Sequence, residues 1–163
     1  IIGILASIAI PGYIGMQERG RRGALTRACN GNVPELQAWI NAVKKANTFL
    51  GALTEIDTDG SGTVVAGVDD TNNDLSDNGV LTRFVEAMRN MNQFSPWGSG
   101  NDLWVDGGDL GAGGTLADCD AAATDAAITI CSNPADDSTI RQLFIVAKDR
   151  AGATFYTNTI SEE

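Results

Sequence analysis

No histidine occurs anywhere in the 163 residues. The commonest general base and the commonest metal-binding imidazole are therefore both missing, and a cysteine or serine nucleophile has no ring nitrogen to activate it. Few catalytic designs survive that absence, and the chain reads as a non-enzyme. Basic residues are scarce as well: 11 Lys and Arg stand against 21 Asp and Glu, a formal net charge of −10. Binding to a phosphate backbone is thus not expected as its main task, so nucleic acid is set aside as a partner. Aromatic residues are only 6% of the chain, and Tyr13 is the sole one among the first 38, which leaves no continuous aromatic conductor along the N-terminal segment. No Asn-X-Ser/Thr triplet is present, so an N-linked sugar of that type is not expected either.

What the chain does have is a greasy start, "IIGILASIAIPGYIGMQERGRRGAL". From Ile1 to Ile14 the only polar side chains are Ser7 and Tyr13. A helix apolar all round has to be buried all round, either in lipid or in the middle of a bundle of like helices. The stretch before Pro11 is too short to span hydrocarbon, which takes ~20 apolar residues, so it is expected to be the tail of a longer apolar segment. A secretory signal peptide would lead to a small-residue cleavage site, whereas this run continues into the Arg-rich "MQERGRRGALTR".

Charge divides the chain in two. Residues 1–27 carry Arg19, Arg21, Arg22 and Arg27 against Glu18, a net +3, which leaves −13 for residues 28–163. The first part is read as a hydrophobic and basic N-terminal helix for a filament core and membrane anchoring, the second as a globular head whose 43% apolar composition supports one real core. A basic neck on an acidic head suggests attraction between neighbouring copies, the alternative being an ordinary solvated collar beside a membrane.

From Gln17 to about Thr48 the apolar positions become periodic: Leu36, Trp39, Ile40, Val43 and Leu50 follow helical spacing while Gln37, Asn41, Lys44 and Lys45 fall on the other side. Gly31 and Pro34 in "CNGNVPELQ" predict a kink, or a restart capped by Asn32. Were the helix continuous over ~47 residues it would be ~70 Å long, a length that suits a projecting spine. "TEIDTDGSGTVVAGVDDTNNDLSDNG" reads as a loop. "NGVLTRFVEAMRNMN" reads as a short helix capped by Asn78, with Leu81, Phe84, Val85 and Met88 on one face. "QFSPWGSGNDLWVDGGDLGAGGT" reads as a Gly-rich loop. "AITIC", "IRQLFIVAKD" and "ATFYTNTI" read as strands, the last two joined at "DRAG" as a hairpin. Helices followed by an antiparallel sheet make an α+β domain, a long helical spine packed on a small antiparallel head.

The opening 25 residues resemble the N-terminal helix of type IV pilins and of the related type II secretion pseudopilins, with Gly3 and Pro11 in the family's positions. In that family a further apolar run comes first, opening on a methylated Phe and carrying a glutamate that guides assembly; neither lies in this sequence. The resemblance covers about the first 30 residues strongly and the rest in layout alone, a long helix, a variable loop and an antiparallel sheet. It implies a pilin fold and a filament core, and a segment between Gly3 and Pro11 that melts in the assembled polymer; a helix merely bent at Pro11 is the alternative. "SPWG" also resembles the "DPWG" of major pseudopilins.

Three cysteines remain, Cys29, Cys119 and Cys131. An exported chain meets oxidising conditions. Cys119 and Cys131 lie in the same part of the head, and the resemblance implies a bridge between them, since many pilins staple that region; Cys29 is then a buried free thiol, or the partner of one of them. The stretch "DTDGSGTV" resembles the first two-thirds of an EF-hand or dockerin loop: Asp57, Asp59 and Ser61 offer oxygens at alternate positions, Gly62 allows a sharp turn and Thr63 offers its carbonyl. The twelfth position is Val68, so Asp69 or Asp70 would have to complete the shell, with Asn72 or Asp74 in reserve. Hard oxygen ligands favour Ca²⁺; the alternative is an acidic loop without an ion.

Together these expectations describe a subunit without catalysis, held in the inner membrane before assembly, handled there by pilus assembly machinery, and then built into an extracellular filament of its own copies. A major pseudopilin is the alternative within the resemblance. A membrane-tethered calcium-dependent binding module is the alternative of another class.

Overall fold

The computed structural model describes residues 2–48, 57, 61–65, 79–98, 100–111, 113–136 and 139–161. Its first element is a single helix, α1, Ile2–Thr48, which runs unbroken through Pro11 and Pro34. The restart that "CNGNVPELQ" offered is therefore absent. Pro34 removes one backbone donor, but Leu25 and Cys29 before it and Leu36, Trp39 and Ile40 after it are all buried in the same core, and that packing keeps both sides helical. Asn32 caps nothing: its Nδ2 donates to the Ala28 carbonyl at 2.8 Å, one turn back inside the helix.

A second helix, α2, Gly79–Asn90, buries Leu81, Phe84, Val85 and Met88 as the spacing predicts; the expected cap, Asn78, lies outside the described residues. Then come β1, Trp104–Asp109, a short helix α3, Leu116–Ala122, and three strands, β2, Ile128–Asp136, β3, Thr139–Lys148, and β4, Thr154–Ser161. The sheet order is β1-β2-β3-β4. β2, β3 and β4 are antiparallel neighbours, with Ile130 opposite Ile145 and Leu143 opposite Ile160. β1 runs parallel to β2, with Trp104 opposite Ile128.

The sheet is thus mixed, and the expectation of a wholly antiparallel one is corrected. A parallel pair needs a crossover rather than a hairpin, and residues 110–127 supply it, with α3 inside. α3 starts at a capping box in which Thr115 accepts from the Asp118 amide and the Asp118 side chain accepts from the Thr115 amide. β1 was expected to be loop because of "DGG". Gly107 explains both readings: a Cβ there would lie 2.6 Å from Cys131 Sγ and 2.7 Å from Thr129 Cγ2, so only glycine lets β1 lie this close to β2.

The two faces of the sheet are covered differently. α1 and α2 pack on one, around Ile128, Ile130, Leu143, Ile145 and Ile160. At the centre Trp39, Phe84 and Trp104 meet edge to face, with ring centroids 5.6 and 5.3 Å apart. α3 covers part of the other face, where Cys119 and Cys131 sit with Phe144 and Val146.

Candidate functional site

In the first third of α1 the side chains of described burial are all exposed. Ile2 is 86% exposed and Met16 73%, with Ile4, Ile10, Tyr13 and Ile14 all more than half exposed between them; at 100° per residue these six point to every side of the helix. Burial begins abruptly at Leu25, 1% exposed. Gly3 and Pro11 are exposed within this stretch, both in helical backbone, and a Cβ added to Gly3 would meet nothing within 4 Å. Among the described residues no helix is long and apolar enough to cross a membrane.

Between the bare stalk and the buried spine lies a neck of charged and polar ties to the head. Trp97, the tryptophan of "SPWG", donates from Nε1 to Glu18 Oε2 at 3.0 Å. Glu18 also faces Arg21 at 4.0 Å and Arg22 at 3.8 Å. Arg22 donates to Asp149 Oδ2, and its guanidinium carbon lies 5.9 Å from the centroid of the Phe155 ring. Asp149 is 1% exposed, so its charge needs full satisfaction. It has it: the other oxygen accepts from the amides of Ala151 and Ala153 at 2.8 and 2.9 Å, which closes the β3–β4 turn at "DRAG". Farther along, Tyr156 donates to Asn30 Oδ1 at 2.8 Å, and Gln37 Nε2 donates to the Ser161 carbonyl at 3.1 Å.

Sequence reasoning missed this neck. Glu18 and Arg22 four residues apart were a readable pair, but their partners come from the distant "SPWG" and "DRAG" segments. Arg22 spends its charge within the chain, whereas Arg19 and Arg27 remain exposed.

Cys119 and Cys131 form a disulfide with Cα atoms 5.8 Å apart, and Cys29 is a buried free thiol, as the sequence led one to expect. Burial pushes the Cys29 thiol up to about 12, its own backbone hydrogen bond opposing only in part.

The acidic loop is described in part. Asp57 accepts from the amides of Ser61 and Gly62, at 3.1 Å on Oδ1 and 2.6 Å on Oδ2. The Ser61 hydroxyl donates to the Thr63 carbonyl at 3.1 Å. These contacts bring three of the expected ligand residues, Asp57, Ser61 and Thr63, together. Asp59, Asp69 and Asp70 lie outside the described residues, and among the described ones no group of three or more acidic or Cys side chains is placed to hold a metal. Glu35 on α1 has its carboxyl raised, first by burial and then by the charge of Asp57, which puts the loop's first carboxylate within electrostatic reach of the spine.

No protein-family model matches the chain, and no curated protein or solved structure is significantly similar to it.

Proposed function

We propose that this chain is the structural subunit of a type IV pilus, with the pilin fold, and that it polymerises through α1 without any catalysis of its own. The supporting observation is the apolar stalk from Ile2 to Met16, in which Ile2, Ile4, Ile10, Tyr13, Ile14 and Met16 are all more than half exposed and covered by none of the described residues. Exposed apolar surface of that extent marks an interaction site. Side-by-side packing of such stalks from many copies excludes water from all of them, and a contact between two different surfaces that does not close on itself builds a filament. Before assembly the same stalk, as part of a longer apolar segment, rests in the inner membrane, where the assembly machinery takes it up; afterwards the heads tile an extracellular surface.

Electron microscopy of the purified full chain tests this. Filaments with a core of packed helices are expected, and a chain that stays monomeric in every assembly condition would count against it. The role of Trp97 in the neck favours one second reading, a major pseudopilin of a type II secretion system, because "SPWG" is the segment that resembles that group. Neighbouring genes for a retraction motor, or for a secretion channel of the outer membrane, separate the two.

A further inference from the structure

The spine leaves the head through a turn that holds two glycines. Gly20 and Gly23 flank Arg21 and Arg22, and a Cβ added to either glycine would meet nothing within 4 Å. Neither is there to admit another part of this chain. Glycine is the poorest helix former after proline, and sharp helix bends concentrate at such residues; two of them within four positions make a weak turn in an otherwise continuous helix. The helix is held by the core from Leu25 onward and bare up to Met16. Across the interval the described ties are Glu18 with Trp97 and Arg22 with Asp149 and Phe155.

Those ties bracket the first glycine. Glu18, on the stalk side of Gly20, accepts from Trp97. Arg22, between Gly20 and Gly23, is held by Asp149 and stands over Phe155. We infer that Gly20 to Gly23 is a hinge of the spine, and that Glu18–Trp97 and Arg22–Asp149 form a brace that holds it straight. With the brace closed, stalk and head move as one body. With it open, the stalk swings on the two glycines while the core packing from Leu25 onward stays intact. Arg22 keeps 44% of its side chain exposed, so salt reaches and weakens the brace. Asp149 also closes the β3–β4 turn, which couples the turn's conformation to the angle of the spine. The inference concerns the single chain and does not depend on polymerisation.

Spin-label distances in the full chain, unassembled in detergent micelles, test it. One nitroxide is placed by Tyr13→Cys, beyond Pro11 on the head side so that bending at the proline does not register, and the other by Thr159→Cys on β4. Cys29 is buried and the other two cysteines are bridged, so labelling stays confined to the two new sites. Tyr13 lies ~13 Å from the middle of the hinge, so a bend of about 30° displaces its label by about 7 Å. The parent chain is expected to give one narrow distribution at low salt and a broader one at high salt. Arg22→Gln, which leaves the turn's own hydrogen bonds in place, and Trp97→Phe should broaden it about twofold, on the lever arm just given. Adding Gly20→Ala with Gly23→Ala to Arg22→Gln should narrow it again. An unchanged width in Arg22→Gln would overturn the brace, and a broadening that the two alanines fail to reverse would overturn the hinge.

Discussion

Gly107→Ala is the substitution for which the structure gives the plainest reckoning. The new methyl would sit 2.6 Å from Cys131 Sγ, 2.7 Å from Thr129 Cγ2 and 3.0 Å from the Ile130 carbonyl. Neither side chain has freedom to give way: Cys131 is bridged to Cys119, and the fully buried Thr129 accepts from the Thr124 amide at 3.0 Å. β1 itself must therefore move off β2. Forcing a methyl into a packed site costs about 1–3 kcal/mol, and pinned neighbours place this case at the upper end. For a chain of this length each kcal/mol is worth about 2–4 °C in Tm, so thermal unfolding of the full chain in detergent, followed by circular dichroism, should fall by about 5–10 °C on the same scale. Gly108→Ala serves as the control. Its Cβ would meet nothing, but its φ of +80° strains any L-residue by about 1–2 kcal/mol. In a background with both Cys119 and Cys131 replaced by alanine, the Gly107→Ala penalty should shrink, with a coupling of about 0.5–3 kcal/mol. A Gly107→Ala chain as stable as the parent, or an equal penalty in both backgrounds, would refute the close approach of β1 to the disulfide.

Three further outcomes are expected. Removing residues 1–16, whose side chains of described burial are all exposed, should leave a monomeric head by light scattering with its Tm little changed, since the described ties to the head begin at Glu18; filaments from the truncated chain would show that heads alone drive assembly. Alkylation at pH 8 under non-reducing conditions should label no cysteine in the native chain and one, Cys29, after denaturation, because the buried thiol at about 12 yields almost no thiolate there; opening the bridge by reduction should cost ~3 kcal/mol from a loop of this size. Millimolar Ca²⁺ should raise the Tm and chelator should reverse it, by ~2.7 kcal/mol at a hundredfold excess over Kd, with the response lost in Asp57→Ala; an unmoved melting curve would make the loop a plain acidic linker.

Local signals carried the parts of the fold that rest on local physics. Amphipathic spacing placed the buried faces of α1 and α2, alternation and a turn placed the β3–β4 hairpin, and apolar strands placed β2 to β4. Where a residue's meaning depends on a distant partner, local signals pointed the wrong way. Gly107 and Gly108 look like loop punctuation, yet the first is needed because a disulfide closes over it. Pro34 looks like a helix end, yet core contacts on both sides carry the helix through it. α3 is seven residues long, too short for a period to emerge, and its capping box of Thr115 and Asp118 was the one legible sign. The same holds for the neck: the pairing of Arg22 with Asp149 spans 127 positions and leaves no mark in either segment alone. The acidic loop stands between these cases, with Asp57 and Ser61 in one turn and Asp59, Asp69 and Asp70 outside the described residues.

The two ends of α1 answer to different demands, and the difference bears on what the stalk is for. Past Glu18 each large apolar side chain of known burial has a job inside the chain: Leu25, Leu36, Trp39 and Ile40 close the core over the sheet. Before it, Ile2, Ile4, Ile10, Tyr13, Ile14 and Met16 contribute nothing to that core. Folding of this chain would be as well served by polar helix formers at those positions, and solubility better served. Fully burying six such side chains is worth on the order of 10 kcal/mol, which the described residues of the same chain do not collect; under the proposed function lipid and then other copies would. A lipid surface alone would be satisfied by an apolar face on one side of the helix and charge on the other. Here the apolar side chains go all the way round, and charge is withheld until the neck. Under the proposed function, that distribution is what a stalk needs if acyl chains and then the stalks of neighbouring subunits are to surround it on every side.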